Sequence, residues 1–405
     1  MRTNHFCALA LIASSLSCAA KGAEPPGPLQ PTGKWVVDYA TDQCILSRDY
    51  GTQARPLTLV FEKVPLTSSV GLNVIEELLL DPEWHVTSIG RRTTAPMAGV
   101  NHVSADLIDA ASTRAALAGC GDVSYLFFGA FLFDADPIKE AANNVAMLRN
   151  TLDGLKAAGA PLERVVIYEG AKAYGALLGP MRTPSKESDP RVPGPLYYFD
   201  LEDLLLERGA ADGFTTAFLR PDFILGIGFG AYTNLLHTCA IYATICKATG
   251  LPLYFPGGKH GHDTLFQMTD ARLLGRASIW AALEADRKDD IFNITNGDLF
   301  RWGNAWPRIA AYFGLAPERP INLNMATFMA DKAPLWNKLA EQQKLTARFE
   351  DLMDWRFGGI LGISGEVHSS TIKARKAGFH DCLDTEDRII ELFDEMRERK
   401  LIPRL

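Results

Sequence analysis

Apolar and polar positions change rhythm repeatedly between residue 57 and residue 235. Short β-rich runs, "LTLVFEKV", "WHVTSIGRR", "NHVSADL", "DVSYLFFGAF", "RVVIYEG" and "FTTAFLRPDFILG", read as strands. Between them, "GLNVIEELLL", "LIDAASTRAALAG", "PIKEAANNVAMLRNTLDGLKAAG" and "YYFDLEDLLLERG" space their apolar residues three and four apart, which predicts helices. Strand and helix in alternation predict an α/β architecture, a doubly wound parallel sheet covered by helices on both faces. Ligands of such sheets sit at the carboxyl ends of the strands. After about residue 235 the rhythm becomes mainly helical, with "HTCAIYATICKATG" and "MTDARLLGRASIWAALEAD" and only the short strands "PLYF" and "DIFNIT". The expected division is a nucleotide-binding domain at 57–234 and a smaller, mainly helical substrate-binding region at 235–405.

The first strand-to-helix junction, "EKVPLTSSVGLNVIEELL", has the layout that opens a dinucleotide-binding fold, with the helix expected to begin at Gly71. Such turns ordinarily carry three glycines, and this one has a single glycine. Upstream, Arg2 precedes the apolar run "FCALALIA" and the small residues "SSLSCAA", a secretory signal pattern over residues 1–23 with cleavage after Ala20 or Ala23. The Pro- and Gly-rich stretch that follows reads as linker within 24–56. No later apolar run is long and uninterrupted enough to be read as a membrane span.

Composition narrows the choices. Of 405 residues, 47% are hydrophobic and 22% charged, an ordinary globular balance, and the net charge of -7 with no Lys/Arg run argues against nucleic acid as a partner. The seven cysteines form no CxxC pair and the eight histidines no HExxH pattern, so neither a metal site nor a disulfide framework is expected.

Candidate chemistry collects at predicted strand ends. Arg91 and Arg92 close the second strand, where an acid would favour NAD and arginine favours the 2'-phosphate of NADP. A solvated basic turn would look the same. Asp106 ends the next strand, where it could meet the adenine edge. Tyr168 and Lys172 form a literal YxxxK, the spacing of the tyrosine–lysine pair of short-chain dehydrogenases. That pair works one turn apart on a helix. On a strand, positions four apart are separated by roughly 13 Å, so Tyr168 is rejected as the acid, while Lys172 stays a candidate just past a strand end. Tyr198 opens an amphipathic helix, but four residues on stands Glu202, not lysine. Aromatic core would explain Tyr197, Tyr198 and Phe199 equally well on pattern alone.

"EGAKAYG…LGP", "YYFDLEDLLLE", "FLRPDFILGIGFGAYTNLL", "IYATICKATGLPLYFPG" and "FNITNGDLFRWGNAWPRIAAYFG" together resemble the progesterone 5β-reductase and iridoid synthase-like enone reductases, atypical extended short-chain dehydrogenases/reductases. The resemblance runs from about residue 64 to the C-terminus. It implies NADPH-dependent reduction of a carbon–carbon double bond conjugated to a carbonyl, with Lys172 and Tyr198 as the catalytic pair. It implies cofactor contacts from Ser68, Ser69, Val70, Gly71, Arg91, Arg92, Asp106, Leu107, Ala130, Tyr168, Ile224, Ala231, Tyr232 and Thr233. Phe131, Phe223 and His262 stand at substrate-pocket positions that depart from the family's usual residues. The implied partner is a small-molecule enone, a homodimer is allowed, and the location is cytoplasmic unless the leader directs export. Pro65 and Ser68 stand where the family has its first two glycines, and the segment before Val64 does not resemble it, as a gene fusion would leave it. A degenerate, catalytically impaired protein and an epimerase- or dehydratase-type enzyme are the alternatives.

Overall fold

The computed structural model of the protein describes residues 36–40, 43–52, 55–61, 68–81, 84–91, 97–176, 178–179, 181–228, 234–285, 289–346, 348–349, 355–363 and 365–404. The expected leader, residues 1–23, lies outside them. At the N-terminal end, β1 (Val36–Ala40), β2 (Gln43–Thr52) and β3 (Arg55–Phe61) form a three-stranded sheet in that order. The run at 57–64, expected to be the first strand of the parallel sheet, is therefore largely β3 of this separate sheet. Only residues 53 and 54 separate β2 from β3, and strands joined by so short a connection tend to be neighbours.

The following chain alternates as its pattern predicts. It runs α1 (Ser68–Leu78), β4 (Val86–Gly90), β5 (Val100–Ser104), α2 (Ala110–Leu117), β6 (Tyr125–Phe128), α3 (Pro137–Ala158), β7 (Arg164–Tyr168), α4 (Tyr197–Asp212), β8 (Thr215–Pro221) and β9 (Ile224–Leu225). Local chemistry sets these ends. Asp136 caps α3 by accepting from the Ile138 amide, Pro137 opens it, and Gly159 closes it at φ 80°. Beyond β9 come α5 (Leu235–Thr249), β10 (Leu253–Tyr254), α6 (Gly258–Asp263), β11 (Leu265–Phe266), β12 (Thr269–Asp270), α7 (Ala271–Leu283), β13 (Asp290–Ile294) and α8 (Trp302–Tyr312).

β6, β7, β8 and β13 form one parallel sheet in that order, with Val166 opposite Ala217 and Ala217 opposite Asp290. β4 and β5 form a separate parallel pair. The doubly wound order 3-2-1-4-5-6 would set one strand between β4 and β6. Among the described residues, no strand is hydrogen-bonded there. Trp84, just before β4, instead lies edge-on to Tyr125 and Phe127 of β6, at 5.6 and 6.4 Å between centroids.

The second half of the chain also returns to this sheet. β13 extends it, and α7 packs on α1 so closely that a Cβ on Gly275 would stand 3.1 Å from the Asn73 carbonyl. Val70, Val74 and Leu78 of α1 and Leu274, Ala277 and Ala281 of α7 share one buried apolar layer with Val166 and Leu219. A second layer, with Leu148, Leu155, Leu201 and Leu205, covers the opposite face from α3 and α4. The 235–405 region adds its own core of α5 and α8, centred on Tyr242, Phe255, Trp302 and Trp306. Among the described residues, no helix is long and apolar enough to cross a membrane.

Candidate active site

The carboxyl ends of β7 and β8 meet the first turn of α4. Past Tyr168 the chain continues through Glu169 and Gly170 into a 3-10 turn, Ala171–Tyr174, which carries Lys172. Tyr198 is the second residue of α4, whose N-terminus has no side-chain cap. Its side chain is buried, and its hydroxyl lies over Gly170. A Cβ on Gly170 would stand 3.4 Å from the Tyr198 hydroxyl and 3.3 Å from the Pro221 carbonyl. The phenol, the β7 end and the β8 end thus converge on Gly170 closely enough that a methyl there would be slightly tight against the Pro221 carbonyl.

Lys172 is exposed, two residues beyond Gly170. Its charge reaches Glu140 of α3, and Glu140 in turn acts on Tyr198, so lysine, glutamate and tyrosine share one electrostatic neighbourhood. Burial raises the Tyr198 phenol above its ordinary range; a hydrogen bond from the Tyr197 hydroxyl opposes this, Glu169 and Glu140 add to it, and Arg220 counters it. The Tyr197 ring meets the Tyr198 ring at 4.6 Å and the Phe131 ring at 5.1 Å. Phe131 is therefore beside the tyrosine pair.

Phe223 and His262 lie elsewhere. Phe223 stacks on Phe266 at 4.6 Å, and His262 sits edge-on to Phe255 at 5.5 Å with Nδ1 2.7 Å from Asp263 Oδ1. Phe266 and Phe255 both contact Trp302, so the two positions are joined through an aromatic chain, not side by side.

On the nucleotide side, Arg91 directly follows β4 and Asp106 lies just past β5, with Nη1 4.0 Å from Oδ2. At that separation and with over a third of the Arg91 side chain exposed, the guanidinium keeps donors for a further anion. Leu107 is buried, and its carbonyl accepts from Asn150 Nδ2 at 2.9 Å. Ala130 packs on the layer of α3 and α4, and Ile224 on that of α1 and α7. The Tyr168 hydroxyl donates to Ser278 of α7 at 3.0 Å, which turns its side chain to the face away from Tyr198.

α1 begins at Ser68, three residues before the expected glycine, and buries Val70. A Cβ on Gly71 would meet no described atom within 4 Å. Pro65, Arg92, Ala231, Tyr232 and Thr233 lie outside the described residues.

One feature escaped the sequence pattern. Arg220 of β8 donates through Nε to Glu169 at 2.5 Å and through Nη2 to Glu202 at 2.6 Å, with all three side chains at most 5% exposed. Arg191 also grips Glu202, at 2.5 Å. Burial lifts the Glu169 carboxyl to about 8; Arg220 works against this and the Glu202 carboxylate adds to it. Asp222 is similarly lifted by burial, to about 7, against the pull of Ser369. The only sequence signal was negative: Glu202 occupies the position, four after a tyrosine, where lysine was sought.

A family model described as a PRISE-like Rossmann-fold domain matches residues 100–403. The chain belongs to this family. An (S)-8-oxocitronellyl enol synthase of Camptotheca acuminata is 29% identical over 362 residues, covering 84% of this chain and 92% of the relative. The 3-oxo-Delta(4,5)-steroid 5-beta-reductase of Arabidopsis thaliana is 28% identical over 368 residues, covering 85% and 94%. Among solved structures, a Bordetella bronchiseptica enzyme in complex with NAD aligns with TM-score 0.54 at 16% identity, covering 82% of this chain and 92% of that one. That likeness establishes a Rossmann-type fold, and the PRISE-like assignment rests on the family match.

Proposed function

We propose that this PRISE-like protein is an NADPH-dependent reductase of enones, adding hydrogen across the double bond conjugated to a carbonyl. The observation that carries the reading is the Tyr198 hydroxyl resting on Gly170, two residues from Lys172, at the carboxyl end of the parallel sheet. The names of the plant relatives, one a steroid reductase and one an enol synthase, agree with an enolate-forming reaction. NAD in the Bordetella structure agrees with a nicotinamide ligand.

The described residues fit such a cofactor. Arg91 offers a partly exposed guanidinium to a 2'-phosphate, with Asp106 and Leu107 beside it for the adenosine, and the α1 N-terminus at Ser68–Gly71 offers backbone donors to phosphate. Bound there, NADPH would supply the hydride. Tyr198 would then donate a hydrogen bond to the carbonyl oxygen as negative charge gathers on it. Lys172 would add positive charge beside that oxygen and hold the ribose. Phe131 and Tyr197 would wall the apolar side and exclude water. The tilt of the field toward an anionic oxygen is reinforced by the uncapped start of α4.

A folded but impaired protein is the second reading. It is favoured by the absence of a described strand between β4 and β6, the place that leads into the cofactor turn.

The test is NADPH oxidation in the presence of a simple enone such as methyl vinyl ketone. Loss of NADPH with saturation of the double bond supports the reading. Protein that binds NADPH but leaves the enone intact at millimolar substrate refutes it.

A further inference from the structure

On α4, Tyr198 and Glu202 are four residues apart and so lie on one face. In a short-chain dehydrogenase with tyrosine and lysine at that spacing, the ammonium beside the phenol comes from the same helix. Here the helix presents a carboxylate, and the positive charge comes from β8 through Arg220. Glu202 is bound by two guanidiniums, Arg220 within the core and Arg191, which also reaches Asp203 at 2.7 Å on the outer side. Glu169 has Arg220 alone. Its Oε2 accepts from Nε, while its Oε1 is fully buried and has no hydrogen-bond donor.

The charge balance is uneven. With all carboxylates ionised, Arg220 and Arg191 together face three negative charges, Glu169, Glu202 and Asp203, and the unpartnered Oε1 of Glu169 remains buried. One proton on Glu169 removes the surplus charge and gives Oε1 a hydrogen to offer. Arg220 of β8 and Glu202 of α4 act on Glu169 directly, and Glu169 acts on Tyr197 and Tyr198. One step further out, Arg191 meets Glu202, Glu187 and Tyr174 meet Arg220, and Glu140, within reach of Lys172, also acts on the tyrosine pair. The Arg220 guanidinium stacks on the Tyr174 ring at 4.9 Å, and the Tyr174 hydroxyl is held by Asn293 at 2.6 Å, so the cluster has little room to rearrange.

We propose that Glu169 is a positioning residue that controls the Tyr198 hydroxyl electrostatically: a neutral Glu169 leaves the Arg220 charge free to draw the phenol toward donation, and an ionised Glu169 cancels that pull. The proposal rests on the enone-reductase reading only for its consequence in turnover. Its physical content concerns the hydrogen-bonded pair Glu169 and Arg220 and the Tyr198 phenol on which both act electrostatically. Glycine at 170 completes it by bringing the phenol against the backbone next to Glu169.

Two measurements on the full chain need neither cofactor nor substrate. In an Asp222→Asn background, which removes the other buried carboxyl held near 7, infrared pH-difference spectra should show a protonated carboxyl carbonyl band that disappears with a midpoint near 8 and is lost when Glu169→Gln is added. The Tyr198 13Cζ resonance, assigned with Tyr198→Phe, should show a step across the Glu169 midpoint in the wild type that is lost in Glu169→Gln. Enone turnover should fall about tenfold across the same midpoint in the wild type and stay level in Glu169→Gln. A wild type whose carbonyl band is lost entirely by pH 7, with no component titrating near 8, overturns the proposal even if the variant fails to fold. So does a Tyr198 step that persists in Glu169→Gln. If both spectroscopic results appear while the wild type reduces no enone, the control of Tyr198 stands and the reading of the reaction falls.

Discussion

The two sides of the nucleotide-binding half are built differently. At the carboxyl ends of β6, β7 and β8 the backbone is a continuous parallel sheet, and Gly170, Pro221 and Tyr198 touch across it. On the other side, β4 and β5 stand as a pair of their own, with Trp84 packed toward β6 where the doubly wound order would place a strand. In the proposed function the first side carries the chemistry and the second the grip on the nucleotide. The contrast separates two quantities that an enzyme assay usually mixes, turnover and cofactor affinity. Changes on the chemical side should move kcat with NADPH affinity nearly constant, and changes on the nucleotide side should do the reverse.

The largest expected effect is on the chemical side. Tyr198→Phe should lower kcat for enone reduction by about 10²–10³-fold, with NADPH affinity by fluorescence titration unchanged; full activity in this variant would remove the proposed donor. Gly170→Ala should come next. The added methyl presses on the phenol and on the Pro221 carbonyl, and a displacement of a fraction of an ångström should lower kcat by roughly 10- to 100-fold, again at constant affinity. On the nucleotide side, the double variant Pro65→Gly/Ser68→Gly should tighten NADPH by about tenfold to a hundredfold if the turn is the weak point, since each strained position costs on the order of 1–3 kcal/mol. Equal binding by both proteins would show that the altered turn costs nothing. Arg91→Ala should weaken NADPH by about tenfold and leave NADH almost untouched, in keeping with one lost charge-assisted bond.

The smallest effect concerns stability. Asp222 is buried, and its folded-state carboxyl is held near 7, above the ordinary range. Below about pH 4 both folded and unfolded chains bind this proton. Between there and 7 only the folded chain holds it, so each rise in pH removes stability until the folded carboxyl also ionises. Thermal midpoints should therefore decline from pH 5 to pH 8, and Asp222→Asn should flatten the decline by on the order of 1–2 kcal/mol. An unaltered slope would mean that the Asp222 carboxyl is already ionised in the folded protein at pH 5.

Much of this was legible in the chain itself. Each predicted helix from "GLNVIEELLL" to "YYFDLEDLLLERG" exists, because apolar spacing and terminal residues such as Asp136, Pro137 and Gly159 act locally. Lys172 and Tyr198 were singled out through their motifs, and the placing of the Tyr198 hydroxyl over Gly170 follows from the strand ends meeting the start of α4. The sheet to which "LTLVFEKV" belongs was not legible, because its β-rich pattern suits either sheet and pairing is decided by the nearest partner. Nor was the return of α7 and β13 to the first domain, since their periodicity says nothing about which layer they cover. The Glu169–Arg220–Glu202 cluster was least visible of all. Its members are 18 and 51 residues apart in sequence, and three ordinary charged residues become unusual only when burial places them together.

The double grip on Glu202 has a consequence for how such proteins can be redesigned. Placing lysine at 202 to recreate the familiar tyrosine–lysine helix pair would set a third cation beside Arg220 and Arg191, with Glu169 left as their sole buried counter-charge. The replacement therefore calls for at least one arginine to leave as well. The two arrangements of positive charge around the phenol are thus separated by coupled substitutions, and lysine at 202 should be tolerated better after Arg191 or Arg220 has been replaced than before.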